Sequence, residues 1–157
     1  MEGELQIARA CLADVPALAG LLEELFAIER EFEPDRAAHE AGLRLLLTRP
    51  GESVIFVARR EETVVGMVSL HSQPSTALGG EAFMLEDMIV TESERGRGVG
   101  GLLLDHALAH ADRAAGRRVN LLADPGNDGA LRFYARRGFR PSSMVVLRRE
   151  PGGDDGH

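Results

Sequence analysis

Apolar and polar residues alternate through "LQIARAC", Leu5–Cys11, and predict a first strand. Asp14 then offers an N-cap with Pro16 in the first turn, followed by Val15, Leu18, Leu22, Leu25 and Phe26 on one helical face. A second helix starts near Pro34 and Asp35 and must stop before Pro50. "SVIFVARREETVVGMVSLHS" holds two β-rich runs around the polar turn Arg60–Thr63, a hairpin pattern, and "QPSTALGG", Gln73–Gly80, reads as a loop. A fourth strand is expected over Ala82–Val90, then a glycine-rich stretch and a helix to about Ala115, closed by Gly116. Strand five covers Arg118–Ala123. Asn127 or Asp128 caps a short helix through Arg137 closed by Gly138, and "FRPSSMVVLRRE" supplies the last strand or strands. The order is β, α, α, β, β, β, α, β, α, β: an α/β (α+β) chain with a mixed sheet and helices on both faces.

Composition adds bounds to this picture. The 157 residues suit one domain, expected over residues 1–150, with "PGGDDGH" as a polar frayed tail over 151–157. Hydrophobic residues at 44% and charged residues at 27% are ordinary for a soluble globular chain, and no apolar run approaches a membrane span. With no basic and apolar leader at the N-terminus, the expectation is a cytoplasmic protein. All 18 basic residues are arginine, which removes a P-loop or Schiff-base lysine. The net charge of −7 argues against a nucleic-acid partner and would attract a cation. Cys11, the one cysteine, reads as a small buried residue at a strand end. His106 and His110 stand at i, i+4 without an evident third ligand, so they read as surface residues and no metal site is expected.

"ERGRGVGG" asks for more explanation. Four glycines fall within Arg95–Gly101 where a helix should be nucleating, at up to about 1 kcal/mol each relative to alanine. Bare amides at a helix start, with the positive end of the macrodipole, make an anion site that a diphosphate can approach. A dinucleotide-binding loop would lie near the start of a βαβ unit with an acidic residue ending the next strand, but strand five ends in Leu122-Ala123. A purely structural tight turn stays open on this stretch alone.

The spacing Arg95-x-x-Gly98-x-Gly100 resembles the pyrophosphate loop of the GNAT superfamily of acetyl-CoA-dependent N-acetyltransferases. "LEDMIV" upstream sits where that superfamily has its fourth strand, and "NDGALRFYARRGF", Asn127–Phe139, is similar to its Asn…Phe-Tyr-x-x-x-Gly-Phe helix. The resemblance implies a mostly antiparallel sheet splayed between strands four and five, with acetyl-CoA as donor. It implies that the backbone of Met88, Ile89 and Val90 pairs with the pantetheine arm. The loop Arg95, Gly96, Arg97, Gly98, Val99, Gly100 and Gly101 would receive the pyrophosphate, chiefly through the amides from Arg97 to Gly101. Asn127 would bond the pantetheine, and the Tyr134 hydroxyl would face the sulfur.

Acetyl transfer to an amine needs a neutral nucleophile, a polarised carbonyl and a protonated leaving thiolate. An alkylammonium with pKa near ~10.4 requires a base or a water chain at neutral pH. The Val90 N–H would serve as oxyanion donor, and Tyr134, with pKa ~10, is a weak acid matched to a thiolate. Phe133 and Tyr134 lie 100° apart on a helix, so one is expected to bury while the other looks elsewhere. Glu86 and Asp87 are neighbouring carboxylates on an apolar strand. Regular alternation would send them to opposite faces and prevent a dyad. The LED segment is also similar to that of diamine acetyltransferases, which implies Glu86 as a base acting through water and leaves Asp87 a structural part. Glu29, Glu31, Glu33 and Asp35 would form an acidic lip for an amine, or simply a solvated helix end. The acceptor, a small-molecule or peptide amine, stays unnamed. A homodimer through the C-terminal strands is open, and a catalytically silent acyl-CoA-binding module is the rival reading.

Overall fold

The computed structural model describes residues 3–29 and 33–152. The chain divides into two compact units, Met1–Leu122 and Ala123–His157.

The first unit holds one five-stranded sheet: β1 (Leu5–Arg9), β2 (Ser53–Arg60), β3 (Thr63–Ser75), β4 (Gly80–Val90) and β5 (Arg118–Leu121), in that spatial order. The first three neighbouring pairs are antiparallel. β4 and β5 are parallel, joined over only Ala82–Leu85 and Arg118–Leu121. The chain residues Gln73, Pro74 and Ser75, expected in a loop, instead extend β3 opposite Ala82, Glu81 and Gly80. Pro74 is tolerated because β2 reaches only as far as His71, so its missing N–H faces no partner strand there.

Alternation divides the core between two faces. Ile55, Val57, Met67 and Ile89 pack under α1 (Val15–Ile28) and α2 (Arg36–Leu47), against Val15, Leu18, Leu22 and Leu43. On the other face Phe56 meets His106 and His110 of α3 (Val99–Arg113), and Phe83 meets His110. His110 is therefore half-buried rather than on the open surface. Leu18, Leu43, Leu103 and Leu104 are fully enclosed, each worth ~2 kcal/mol of burial. The two helices on the first face are tied by Arg36, which donates to the Pro16 carbonyl and pairs with Glu23 at 3.0 Å.

The helix ends differ in two details from expectation. Asp35 caps α2 as foreseen, accepting from the Ala38 N–H at 3.2 Å. Asp14 precedes α1, but its carboxylate turns back to accept from the Cys11 N–H at 2.8 Å and pairs with Arg59 at 2.7 Å. Cys11 is exposed, not buried. At the end of α3 the left-handed residue is Ala115, φ 57°, while Gly116 is required by packing: a Cβ there would fall 2.7 Å from the Phe83 ring.

The second unit contains α4 (Asp128–Ala135), shorter than expected, with Gly138 at φ 88° beyond it. The strand expected from "FRPSSMVVLRRE" is not formed among the described residues. Met144, Val145 and Leu147 are more than four-fifths exposed. β-branched content favours a pleated, half-buried surface, and without a partner strand or a covering layer it forms no ladder. The C-terminal strands considered for a dimer are thus missing from this stretch. The tail is expected over 151–157, of which residues 153–157 lie outside the described residues, as does Glu31 of the acidic lip.

Candidate active site

β4 runs on from Glu86 to Val90 past its last pair with β5. The direction of its amides follows from the ladder. Thr91 N–H donates to the Val65 carbonyl at 2.8 Å, so the neighbouring residue, Val90, directs its N–H and C=O to the opposite edge. Arg95 Nε confirms this by donating to the Val90 carbonyl at 2.9 Å on that side. Val90 N–H therefore faces away from β3, on the side where β4 has run past its last pair with β5. Met88 and Ile89 lie on the same stretch.

A 3₁₀ turn, Glu92–Glu94, carries the chain from β4 into the glycine loop. Gly96 and Gly98 hold φ 75° and 85°, and a Cβ on either would meet nothing within 4 Å. The glycines are used here for backbone conformation and not for tight packing. Gly98 is the N-cap of the fifteen-residue α3, and its carbonyl accepts from Leu102 N–H at 3.2 Å. As N-cap, Gly98 has no side chain with which to satisfy the first amides of α3, from Val99 to Gly101. This is a helix start with donors and a positive dipole end available to an anion, and the residues fit a diphosphate.

The segment is braced by two carboxylates that nothing in the local sequence singles out. Glu94 is only 7% exposed; both its oxygens accept from Arg60 Nε at 2.9 Å, and Arg97 Nη1 lies 3.3 Å from one of them. Arg60 also donates to the Gly3 carbonyl at 3.1 Å. Glu24 of α1 accepts from the Thr91 hydroxyl at 3.0 Å and the Glu92 N–H at 3.3 Å, with Arg95 3.9 Å away. Arg95 and Arg97, expected as cofactor contacts, hold the loop to its own strand and turn through these bonds. Pairings between residues 24 and 92, or 60 and 94, leave no local sequence signal.

A cavity of about 590 Å³ opens between the first two helices and the sheet. Leu22, Phe26, Leu43 and Leu46 supply its apolar wall, and His39, His71, Glu86 and Asp87 are among its polar lining. The Phe26 and His39 rings stack at 4.8 Å, and His39 Nε2 accepts from the Asp35 N–H at 3.0 Å. His71 Nε2 lies 3.4 Å from Glu86 Oε1.

The two adjacent carboxylates depart from the expected alternation. Met67 stands opposite Ile89, but Ser69 stands opposite Glu86, so two residues of β4, Asp87 and Met88, face the single Val68. This β-bulge puts Asp87 at φ 50°, a left-handed value, and lets Glu86 and Asp87 line the same cavity. Asp87 is thus a lining residue of the cavity and not merely a structural one. Burial, then the charges of Glu86 and Glu29, push its carboxyl up to about 6, against weaker opposition from a Ser69 hydrogen bond and His71.

In the second unit Asn127 caps α4, its Oδ1 accepting from Ala130 N–H at 3.1 Å. Phe133 and Tyr134 are both half-buried rather than divided between core and exterior. Their rings meet edge-on at 5.2 Å, and Tyr134 also meets Phe139 at 5.7 Å.

Known proteins place the chain in a family. Residues 18–139 match the model of the acetyltransferase (GNAT) family. The chain is 27% identical over 142 residues to the uncharacterized N-acetyltransferase YhfO of Bacillus subtilis, covering 90% of this chain and 94% of that one. It is 27% identical over 137 residues to the aminoalkylphosphonate N-acetyltransferase of Salmonella typhimurium, covering 87% and 86%. Its fold is similar to that of an aminoglycoside N-acetyltransferase solved with CoA, with TM-score 0.79 and 18% identity over 96% and 97% of the two chains. With the open strand edge, the glycine loop and the matched family in agreement, this chain belongs to the GNAT acetyltransferases, enzymes that take an acetyl group from acetyl-CoA and give it to an amine.

Proposed function

We propose that the enzyme acetylates a primary amine of a small molecule or peptide by direct attack in a ternary complex. The observation that carries this reading is the outward-facing Val90 N–H, which stands three residues beyond Asp87 and four beyond Glu86, the carboxylates of a cavity large enough for a small amine. In this reading the backbone of Met88, Ile89 and Val90 pairs with the pantetheine arm. The amides of the loop from Arg97 to Gly101 receive the pyrophosphate, and Asn127 bonds the pantetheine. Glu86 and its neighbour Asp87 both line the cavity, and one carboxylate of this pair receives the ammonium proton. The neutral nitrogen then attacks the thioester carbon, and Val90 N–H stabilises the negative oxygen that forms. As the C–S bond breaks, its electron pair goes to sulfur. Tyr134 O–H protonates the thiolate, and the second proton released by the nitrogen restores the phenol.

The apolar wall fits an acceptor with a hydrocarbon body, and the acidic floor fits its ammonium group. The aminoalkylphosphonate relative supports an amine acceptor without naming this one. A cytoplasmic setting, where acetyl-CoA is made and used, suits the reading. A screen of primary amines following CoA release tests it. Release that depends on one class of amine is expected. Release with none, together with no rise in melting temperature on adding acetyl-CoA, refutes it.

A further inference from the structure

The geometry points to Asp87, and not Glu86, as the carboxylate that takes the proton from the acceptor's ammonium, with Glu86 as a positioning residue that tunes it. This assignment rests on the N-acetyltransferase reading and deepens it. The backbone supplies the first argument. A non-glycine residue at φ 50° inside a strand is sterically costly, and such costs persist where surrounding structure imposes them, often at reacting centres. Here the bulge turns a side chain that would face the α3 side of the sheet into the cavity under α1 and α2.

The second argument compares the two carboxylates. The Glu86 side chain is 46% exposed, with His71 Nε2 3.4 Å from Oε1, so water reaches its charge. Asp87 is more deeply set and its surroundings oppose its charge. Glu29 at the end of α1 and Glu86 on β4 repel it, while only Ser69 and His71 on β3 favour it. Among the other groups lining the cavity, α2 contributes His39, and the connection to β2 contributes Arg49 and Glu52. A carboxylate disfavoured in this way gains when it accepts a proton, which is what deprotonating an ammonium requires. The proton moves from nitrogen to the Asp87 oxygen, the amine becomes neutral for attack, and the proton leaves to solvent after transfer. Glu86 keeps a negative charge beside Asp87 and thereby sets how strongly Asp87 holds that proton.

The test uses the full chain, acetyl-CoA, and tyramine, spermidine and aminomethylphosphonate as probe amines, with kcat/KM followed across pH for wild type, D87N, D87E and E86Q. Asp87 predicts a rising limb in the wild type with an apparent pKa of about 6. D87N is expected to lose on the order of 10²-fold or more and the limb with it, and D87E to recover part of the rate. E86Q keeps turning over, with the limb moved to lower pH. A D87N enzyme within about threefold of wild type, or a limb that vanishes in E86Q instead, overturns the assignment. A rise in melting temperature with acetyl-CoA checks that D87N is folded and binds donor. NMR titration of carboxyl carbons needs no acceptor. Asp87 should titrate near 6 and fall in E86Q, whereas a value in the ordinary carboxylate range removes the proposal even if none of the three amines is a substrate. Failure of the enzyme reading looks different: no CoA release and no acetyl-CoA effect on melting, with the Asp87 titration unchanged.

Discussion

Asp87→Asn should make the protein more stable at alkaline pH while disabling it. The carboxyl has a native pKa of about 6 against an ordinary 3.8, so the folded state binds its proton more tightly than the unfolded chain does. The sign follows directly. Below about pH 4 both states are protonated and Asp87 costs nothing; as pH rises through 6, the native state must carry a charge that its surroundings oppose, and stability falls. A difference of roughly two pKa units corresponds to about 3 kcal/mol above pH 7. Asparagine keeps the shape and removes the charge, but its amide fits the Ser69 hydrogen bond less well, leaving a net gain of ~1–2 kcal/mol. For a chain of this length that is a rise of roughly 3–6 °C in Tm. Thermal unfolding of wild type and D87N at pH 8 and at pH 4 measures it, each pH serving as the other's control. The gain should be present at pH 8 and absent at pH 4. A variant less stable at pH 8, or a difference independent of pH, would refute the claim that this carboxylate is held ionised at a cost.

Other perturbations test other parts of the molecule. Gly98→Ala should cost about 1 kcal/mol, because Gly98 holds φ 85° where a Cβ is strained although space is free, and Gly98→Glu should abolish the acetyl-CoA effect on Tm by placing a carboxylate in the anion cradle. Arg60→Met leaves the nearly enclosed Glu94 without its main partner and should cost ~2–4 kcal/mol in denaturant unfolding, whereas Arg36→Met, which breaks an exposed pair with Glu23, should cost ~1 kcal/mol or less. Tyr134→Phe should lower kcat while leaving acetyl-CoA affinity near wild type, and an unchanged kcat removes the acid role. The Asp14 carboxyl titrates below its ordinary value: burial opposes this, and the Arg59 hydrogen bond and charge and the Cys11 N–H outweigh burial. Its stabilisation is therefore present above about pH 4 and lost as pH falls through the lower native value. Arg59→Met should reduce the acid sensitivity of unfolding.

Much of the candidate site's local backbone could be read along the chain because its parts are local. A glycine at the start of a helix, a capping Asn127 and a β-rich run ending in Val90 each declare themselves within a few residues, through conformational freedom, side-chain hydrogen bonding and alternation. The order of strands and helices in the first unit followed for the same reason. What escaped was set by partners distant in sequence or by breaks in a regular pattern. The MVVL run has the composition of a strand, but a strand exists only with something to pair with, and the described residues give it nothing. Glu24 and Glu94 read as ordinary surface acids until the fold places Thr91 and Arg60 against them. Glu86 and Asp87 show the limit most clearly. Strand periodicity predicts opposite faces, and one extra residue in β4 opposite Val68 reverses that result for Asp87. The sequence determined which chemical groups are present and which backbone could bend. Register between strands, a property of two segments at once, decided that both carboxylates face one cavity.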